Sequence, residues 1–171
     1  MKRSFSLFFQ VLLLFQFAAC QQPATTKQPL ESLFPETIGT LQRLQLVTEG
    51  PAIDRINQLH GKTIEVEAGA IGRYAAGGSE VAMVWISRSS DEQTARRQTD
   101  IMVEKMVNNP RSPFHHPQIR GKEGARLYQF MGMGQVHYIF CRQTLVYWIS
   151  AVPARGEEIL ATFYPLAGNS S

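Results

Sequence analysis

The 171-residue chain has an ordinary globular composition, with 44% hydrophobic, 18% charged and 10% aromatic residues. This composition excludes a wholly disordered, collagen-like or disulfide-rich chain, and the length suits one domain with its own core. The formal charge is +3, but two of the 17 basic residues, Lys2 and Arg3, lie in the leader; without them, 15 basic residues nearly balance the 14 acidic ones. We find no basic stripe or patch, so we expect no nucleic-acid partner.

The first 20 residues have the organisation of an export signal. Lys2 and Arg3 form a short basic segment, and an uncharged stretch rich in Phe and Leu follows from residue 4 to residue 19. A stretch of this length suits a signal peptide better than a membrane span. The stretch ends in Phe17-Ala18-Ala19-Cys20, which resembles the lipobox of bacterial lipoproteins, with Phe17 in place of the usual Leu.

The lipobox resemblance implies a signal peptide over residues 1–19 and acyl chains, such as palmitate, on Cys20. It also implies a cell-envelope location with the membrane as a partner, and Gln21 favours the outer over the inner membrane. Two or more acyl chains hold a protein firmly at a bilayer. An uncleaved N-terminal membrane helix and an ordinary secretory leader cut near Ala19 are the alternatives.

Residues 20–29 are polar, contain two prolines and show no periodicity, so we interpret them as the lipidated cysteine and a tether. Residues 30–171 then form a single domain. With Cys20 acylated, Cys141 has no partner for an intramolecular disulfide, and we interpret it as a small apolar residue in or near a strand.

Hydrophobic periodicity predicts alternating strands and helices along the domain. A strand signal at residues 41–47 precedes a helix that enters at Gly50-Pro51 and places Ile53, Ile56 and Leu59 on one face. A hairpin follows, with alternation at residues 64–67, a continuation through residues 71–74, a turn at Gly77-Gly78 and a central strand over residues 81–86.

The second half opens with the strongest helix signal in the chain. Ser89 or Ser90 begins a capping box, and Ala95, Thr99, Met102 and Met106 form the buried stripe of a helix that ends before Pro110. We predict a loop over residues 111–117, three strands at residues 127–131, 136–140 and 145–152, and a final helix from Pro153.

The meander strands present two apolar faces. Pairing across Arg142-Gln143 places these residues on one face: Val136, Tyr138, Phe140, Leu145, Tyr147 and Ile149. The other face carries His137, Ile139, Cys141, Thr144, Val146 and Trp148. We expect the part of that second face around Ile139, Val146 and Trp148 to be an uncovered patch or to lie under the N-terminal segment.

The short links between strands require antiparallel pairing, so the predicted fold class is α+β. The predicted architecture is a single antiparallel sheet with packed helices, in a two- or three-layer sandwich. This layout resembles the PsbP-like sandwich, and the segment from Pro35 to Asn57 is similar to uncharacterised bacterial envelope proteins. Neither resemblance implies a functional residue.

The residues offer no recognisable catalytic or metal-binding set. His115 and His116 are adjacent in a predicted loop, and the chain contains neither a Cys-x-x-Cys nor a His-Glu-x-x-His spacing. His137 and Cys141 share a strand face about 13 Å apart, and the pair Glu65 and Glu67 suits a solvated strand face. We therefore expect no enzyme, no metal and no cofactor.

Two functions fit these observations. The first is an envelope lipoprotein whose non-catalytic binding or structural domain engages an envelope protein partner. The alternative is a carrier or sensor of an apolar small ligand, held in a cleft between sheet and helices and lined by Trp85, Met102, Met106 or Trp148.

Overall fold

One antiparallel sheet organises residues 27–60, 64–121 and 126–164, which the computed structural model describes. Its eight strands are β1 (Thr37–Ile38), β2 (Leu41–Thr48), β3 (Ala68–Ala76), β4 (Ser79–Arg88), β5 (Phe114–Arg120), β6 (Leu127–Gly132), β7 (Gln135–Arg142) and β8 (Leu145–Ala151). Three α-helices pack on it, namely α1 (Glu49–His60), α2 (Glu92–Asn108) and α3 (Gly156–Phe163). Short 3-10 helices cover Leu30–Leu33 and Pro153–Arg155. The predicted α+β class with a single antiparallel sheet is confirmed.

The sheet joins two meanders. The strand order is β1-β2-β3-β4-β8-β7-β6-β5, so β4 pairs with β8 at the centre and α2 carries the chain to the far edge. The Trp85↔Trp148 pair lies near the middle of this central pairing. The apolar β4 sequence predicted a central strand, and that position is confirmed.

The first face of the sheet carries the larger core. Tyr138, Phe140, Tyr147 and Ile149 pack there with α3 and the N-terminal 3-10 helix, as the alternation predicted. The Phe163 ring meets the edge of Phe34, with 5.9 Å between ring centroids. Close aromatic packing of this kind stabilises the layer beyond the area that it buries.

The second face is covered by two separate helices. α1 packs mainly on β3, whereas α2 packs on β7 and β8. Ala95, Met102 and Met106 of α2 are buried against Ile139 and Val146, which confirms the predicted helical stripe. The architecture is therefore three-layered, with a gap between α1 and α2 over β4 and β8.

Two stretches differ from the sequence-based expectation. The predicted loop over residues 111–117 is wrong in its second half, because β5 begins at Phe114 and pairs with β6. A bulge between His115 and Gln118 interrupts this edge pairing around Pro117, which explains the missing strand signal. The alternation at residues 64–67 is not part of β3, which begins at Ala68.

The structure corrects the predicted start of α2 and the predicted buried face of α1. α2 is capped by Asp91, whose carboxylate accepts a 2.8 Å hydrogen bond from Thr94 N, rather than by Ser89 or Ser90. In α1, Leu59 does not share the buried face, because its side chain is 47% exposed.

Candidate functional site

The gap between α1 and α2 exposes a pair of tryptophans at its floor. Trp85 of β4 and Trp148 of β8 are direct cross-strand partners, and both indoles are partly exposed. Ser87 and Val146 form another pair of the same ladder, two residues along, and side chains two apart on a strand share a face. The floor is thus aromatic and aliphatic with one hydroxyl.

Two helices form the walls of this gap, which we call the tryptophan groove. Its lining residues are Ile56 and His60 from α1, Ile64 beyond α1, Trp85 and Ser87 from β4, Gln98, Ile101, Met102 and Lys105 from α2, and Val146 and Trp148 from β8. The four α2 residues are spaced i, i+3, i+4 and i+7, which places them on one side of the helix.

The groove has two compartments that share His60, Ser87, Met102 and Val146. The head compartment, toward Lys105, has a volume of about 90 Å³. The tail compartment, over the two tryptophans, has a volume of about 30 Å³. Sites that enclose drug-sized ligands have roughly 300–1,000 Å³, so this groove suits a slender group.

The sheet spacing sets the width of the groove. Strands lie about 4.8 Å apart, so β3 and β7 are about 14 Å apart across β4 and β8. A helix with its side chains is about 10 Å across, so α1 and α2 leave room for about one hydrocarbon chain. A third helix would need roughly 8–10 Å to the axis of each neighbour and is too wide.

A buried histidine fixes one of the two indoles. Trp148 Nε1 donates to His137 Nδ1 over 3.2 Å, and the other ring nitrogen, Nε2, lies 3.1 Å from the Gly132 carbonyl oxygen. An indole nitrogen only donates, so His137 accepts through Nδ1 and donates through Nε2 as the neutral imidazole. Burial lowers the pKa of His137, partly offset by the Gly132 hydrogen bond, which agrees with this neutral form.

The polar groups at the head compartment differ in whether they have hydrogen-bond or ion-pair partners among the described residues. Gln98 is engaged, because it accepts from Ser89 Oγ over 2.7 Å and donates to the Glu65 carbonyl over 2.8 Å. Ser87 is only 9% exposed and, among the described residues, its hydroxyl has no hydrogen-bond partner. Lys105 is exposed and pairs with no acidic side chain in the described ranges.

The structure brings together three of the four predicted binding residues. Trp85, Met102 and Trp148 line the tail compartment. Met106 lines neither compartment and is packed in the core beneath α2. Met102 and Met106 are four residues apart on one helical stripe, yet only Met102 of the two lines the groove.

The expected uncovered patch at Ile139, Val146 and Trp148 is also corrected. Ile139 and Val146 are buried under α2, and only Trp148 stays partly open. Sequence reasoning missed Ser87, Lys105 and His60 as lining residues. The i, i+3, i+4, i+7 spacing of the α2 lining residues was a visible signal for Lys105.

The other candidate residues lie apart from the groove or in structural roles. Cys20 and the lipobox lie outside the described residues. Cys141 is partly exposed, and burial raises the pKa of its thiol. Glu67 pairs with Lys27, whereas Glu65 contributes its carbonyl to Gln98.

The described residues were also compared with the requirements of a metal site and of a membrane-spanning helix, and the chain with known proteins. Across the described ranges, no cluster of three or more His, Cys, Asp or Glu side chains has the geometry to hold a metal ion. Among the same residues, no helix has the length and apolar character needed to span a membrane. Comparisons of this chain with protein-family models, with curated proteins and with solved structures give no match.

Proposed function

We propose that this chain is a membrane-anchored envelope lipoprotein whose domain binds a slender apolar ligand in the tryptophan groove and catalyses no reaction. One observation carries the proposal: both tryptophans of the chain lie side by side, partly open, at the floor of a groove between two helices. Partly exposed aromatic side chains in a concave apolar site are typical of ligand binding.

The histidine bonded to Trp148 supports a binding role over chemistry. His137, the histidine nearest the tryptophans, has both ring nitrogens engaged, by Trp148 and by Gly132. A general base needs a free nitrogen within reach of the proton that it removes. His137 therefore positions Trp148 and does not act on a ligand.

A fluorescent apolar probe tests the binding proposal. We expect N-phenyl-1-naphthylamine to bind once per chain and to receive excitation energy from the two tryptophans. Ser87→Leu fills the junction of the two compartments and should weaken binding about tenfold or more. The matched control is Ser79→Leu, at an exposed position on the same strand, which should bind like the wild type.

Equal probe binding by wild type and Ser87→Leu would contradict the proposal. A thermal melt of each variant shows whether it is folded. Ile101→Glu is a second groove variant; its side chain is 43% exposed, so the fold tolerates the change.

An envelope protein partner is the second candidate, favoured by exposed apolar side chains on the two helices. Leu59, Ile101 and Val107 are 47%, 43% and 52% exposed. Exposed apolar groups of this kind mark interaction surfaces when they cluster. If a partner binds there, Ile101→Asp should release a stoichiometric partner from solubilised envelopes, whereas Leu44→Asp on β2 should retain it.

A further inference from the structure

The head compartment and the tail compartment differ in chemistry. Lys105, Gln98, Ile101 and Ile64 line only the head compartment, and Ile56, Trp85 and Trp148 line only the tail compartment. The groove is therefore polarised along its length, with an ammonium group at one end and two indoles at the other. A ligand that matches it is an amphiphile, with a polar head and an apolar chain.

Two polar groups at the head compartment, Lys105 and Ser87, have no partner among the described residues, and both can donate hydrogen bonds. The Lys105 ammonium only donates, and it has no acidic partner in the part of the chain that the structure describes. Ser87, a residue that is 9% exposed, lines both compartments, and its hydroxyl has no hydrogen-bond partner there either. Gln98, the other polar lining residue from α2, already uses its oxygen and its nitrogen.

The Ser87 hydroxyl lines the groove and can donate to a ligand oxygen placed there. A negatively charged oxygen placed between Ser87 and Lys105 would accept from both, and hydrogen bonds to a charged acceptor are the stronger kind. A cationic head would face the like charge of Lys105. The charge of the groove therefore selects an anionic head group.

The width of the groove selects a single chain for the tail. The compartments between α1 and α2 have volumes of only about 90 and 30 Å³, and an inserted helix is too wide for them. An extended peptide over Trp85 and Trp148 would leave its backbone N–H and C=O groups without partners against an apolar floor. A hydrocarbon chain has no such groups to satisfy.

We propose that the tryptophan groove binds a single-chain anionic amphiphile, with Ser87 and Lys105 on the head group and Ile56, Met102 and Trp148 along the chain. This inference rests on the proposed function and names the class of ligand for the same site.

Contact quenching of the tryptophans tests this assignment, because both tryptophans of the chain lie in the groove. The full acylated chain, in a nonionic detergent, is titrated with terminally brominated undecanoate. Parallel titrations use the matching alcohol, alkyl phosphate and alkyltrimethylammonium. Each variant is compared with wild type for the same probe, so partitioning into detergent cancels.

We expect undecanoate to quench both tryptophans, and Lys105→Gln to weaken its binding about tenfold while leaving the alcohol unchanged. Ser87→Ala should weaken the carboxylate severalfold. Arg97→Gln, on the same helix but outside the groove lining, is the matched control and should behave like wild type. The phosphate titration shows whether the site accepts anionic heads in general or carboxylates alone.

Three outcomes overturn the inference, and they distinguish a wrong head group from a wrong site. If the carboxylate and the alcohol bind equally and Lys105→Gln changes neither, the anionic head group is wrong while the groove remains a binding site. The same holds if the trimethylammonium probe binds most tightly. If no probe quenches the tryptophans, the proposed function itself fails.

Discussion

Trp148 keeps its place in the groove through a histidine that has to stay neutral. His137 is fully buried, and its ring meets Phe114 edge-on at 4.9 Å between centroids. Protonation would place a hydrogen on Nδ1, toward which Trp148 Nε1 already points its own hydrogen. The indole and the imidazolium would then present two donors to each other, and the contact would be lost.

Acid should therefore destabilise the fold in a histidine-dependent way. Burial lowers the pKa of His137 below its ordinary value of 6.5, so the unfolded chain takes up this proton first as the pH falls. The stabilising contribution is complete above about pH 6.5 and is lost as the pH falls from there through the folded-state pKa. Urea unfolding of wild type between about pH 7.5 and 5.5 should show this decline.

The His137→Gln variant supplies the comparison, because it cannot titrate in this range. Its free energy of unfolding should be lower at neutral pH and flatter with pH than that of wild type. His116→Gln, at an exposed position on the edge strand, should keep the wild-type slope. Parallel slopes for wild type and His137→Gln would refute the account of this histidine.

The environment of a side chain was predictable from the sequence where it depends on a single helix or strand. Alternation alone placed Tyr138 and Ile139 on opposite faces, because the period of a strand is two. The separate fates of Met102 and Met106 were not predictable, because both follow the same helical stripe. Which part of that stripe borders the groove depends on tertiary packing.

At the scale of elements, α3 approaches the sheet through a glycine. A Cβ on Gly156 would lie 2.5 Å from Val136 Cγ1 and 2.9 Å from Tyr138 Oη. Tyr138 Oη donates to Glu157 Oε1 over 3.0 Å, which ties the start of α3 to β7. The first turn of the helix is therefore seated directly on the strand.

Substituting alanine at Gly156 should cost stability despite the higher helix propensity of alanine. The methyl group forces α3 away from β7, and overpacking of this kind costs about 1–3 kcal/mol. Gly50→Ala in α1 is the matched control, because nothing lies within 4 Å of the added carbon. Denaturant unfolding should show Gly156→Ala clearly below wild type and Gly50→Ala at or above it.

The helices and strands with the strongest hydrophobic periodicity were predicted best. α2 and the β6–β8 meander were predicted within a few residues, because long apolar stripes specify them. β5 was missed because an exposed edge strand has no buried face to give it an alternating pattern. Asp91 was not chosen as the cap of α2, since Ser89, Ser90 and Asp91 are all good capping residues and only the chain path selects among them.

For the whole molecule, the start of the domain is held at one end of the central strands. Arg88, nine-tenths buried, donates from Nη2 to the Gln28 carbonyl, and Lys27 pairs with Glu67. The eight-residue step from residue 20 to residue 28 reaches at most about 28 Å when fully extended. The predicted acylation of Cys20 would keep this end of the domain near the bilayer, and Ser87 of the groove precedes Arg88 in the sequence.

Acylation at Cys20 is a prediction that the other cysteine helps to test. Cells fed an alkyne analogue of palmitate should label wild type and Cys141→Ser, and Cys20→Ser should lose the label and leave the membrane fraction. The chain has two cysteines, so the pair of variants assigns the acyl site. Label retained on Cys20→Ser would contradict the lipobox prediction.

Native mass spectrometry of the full chain, extracted gently from envelopes, tests ligand binding in the groove most directly. We expect one noncovalently bound amphiphile per chain in the wild type, and its loss in Ser87→Leu but not in Ser79→Leu. A spectrum with only unliganded chain, or with the same adduct in wild type and Ser87→Leu, would contradict the account.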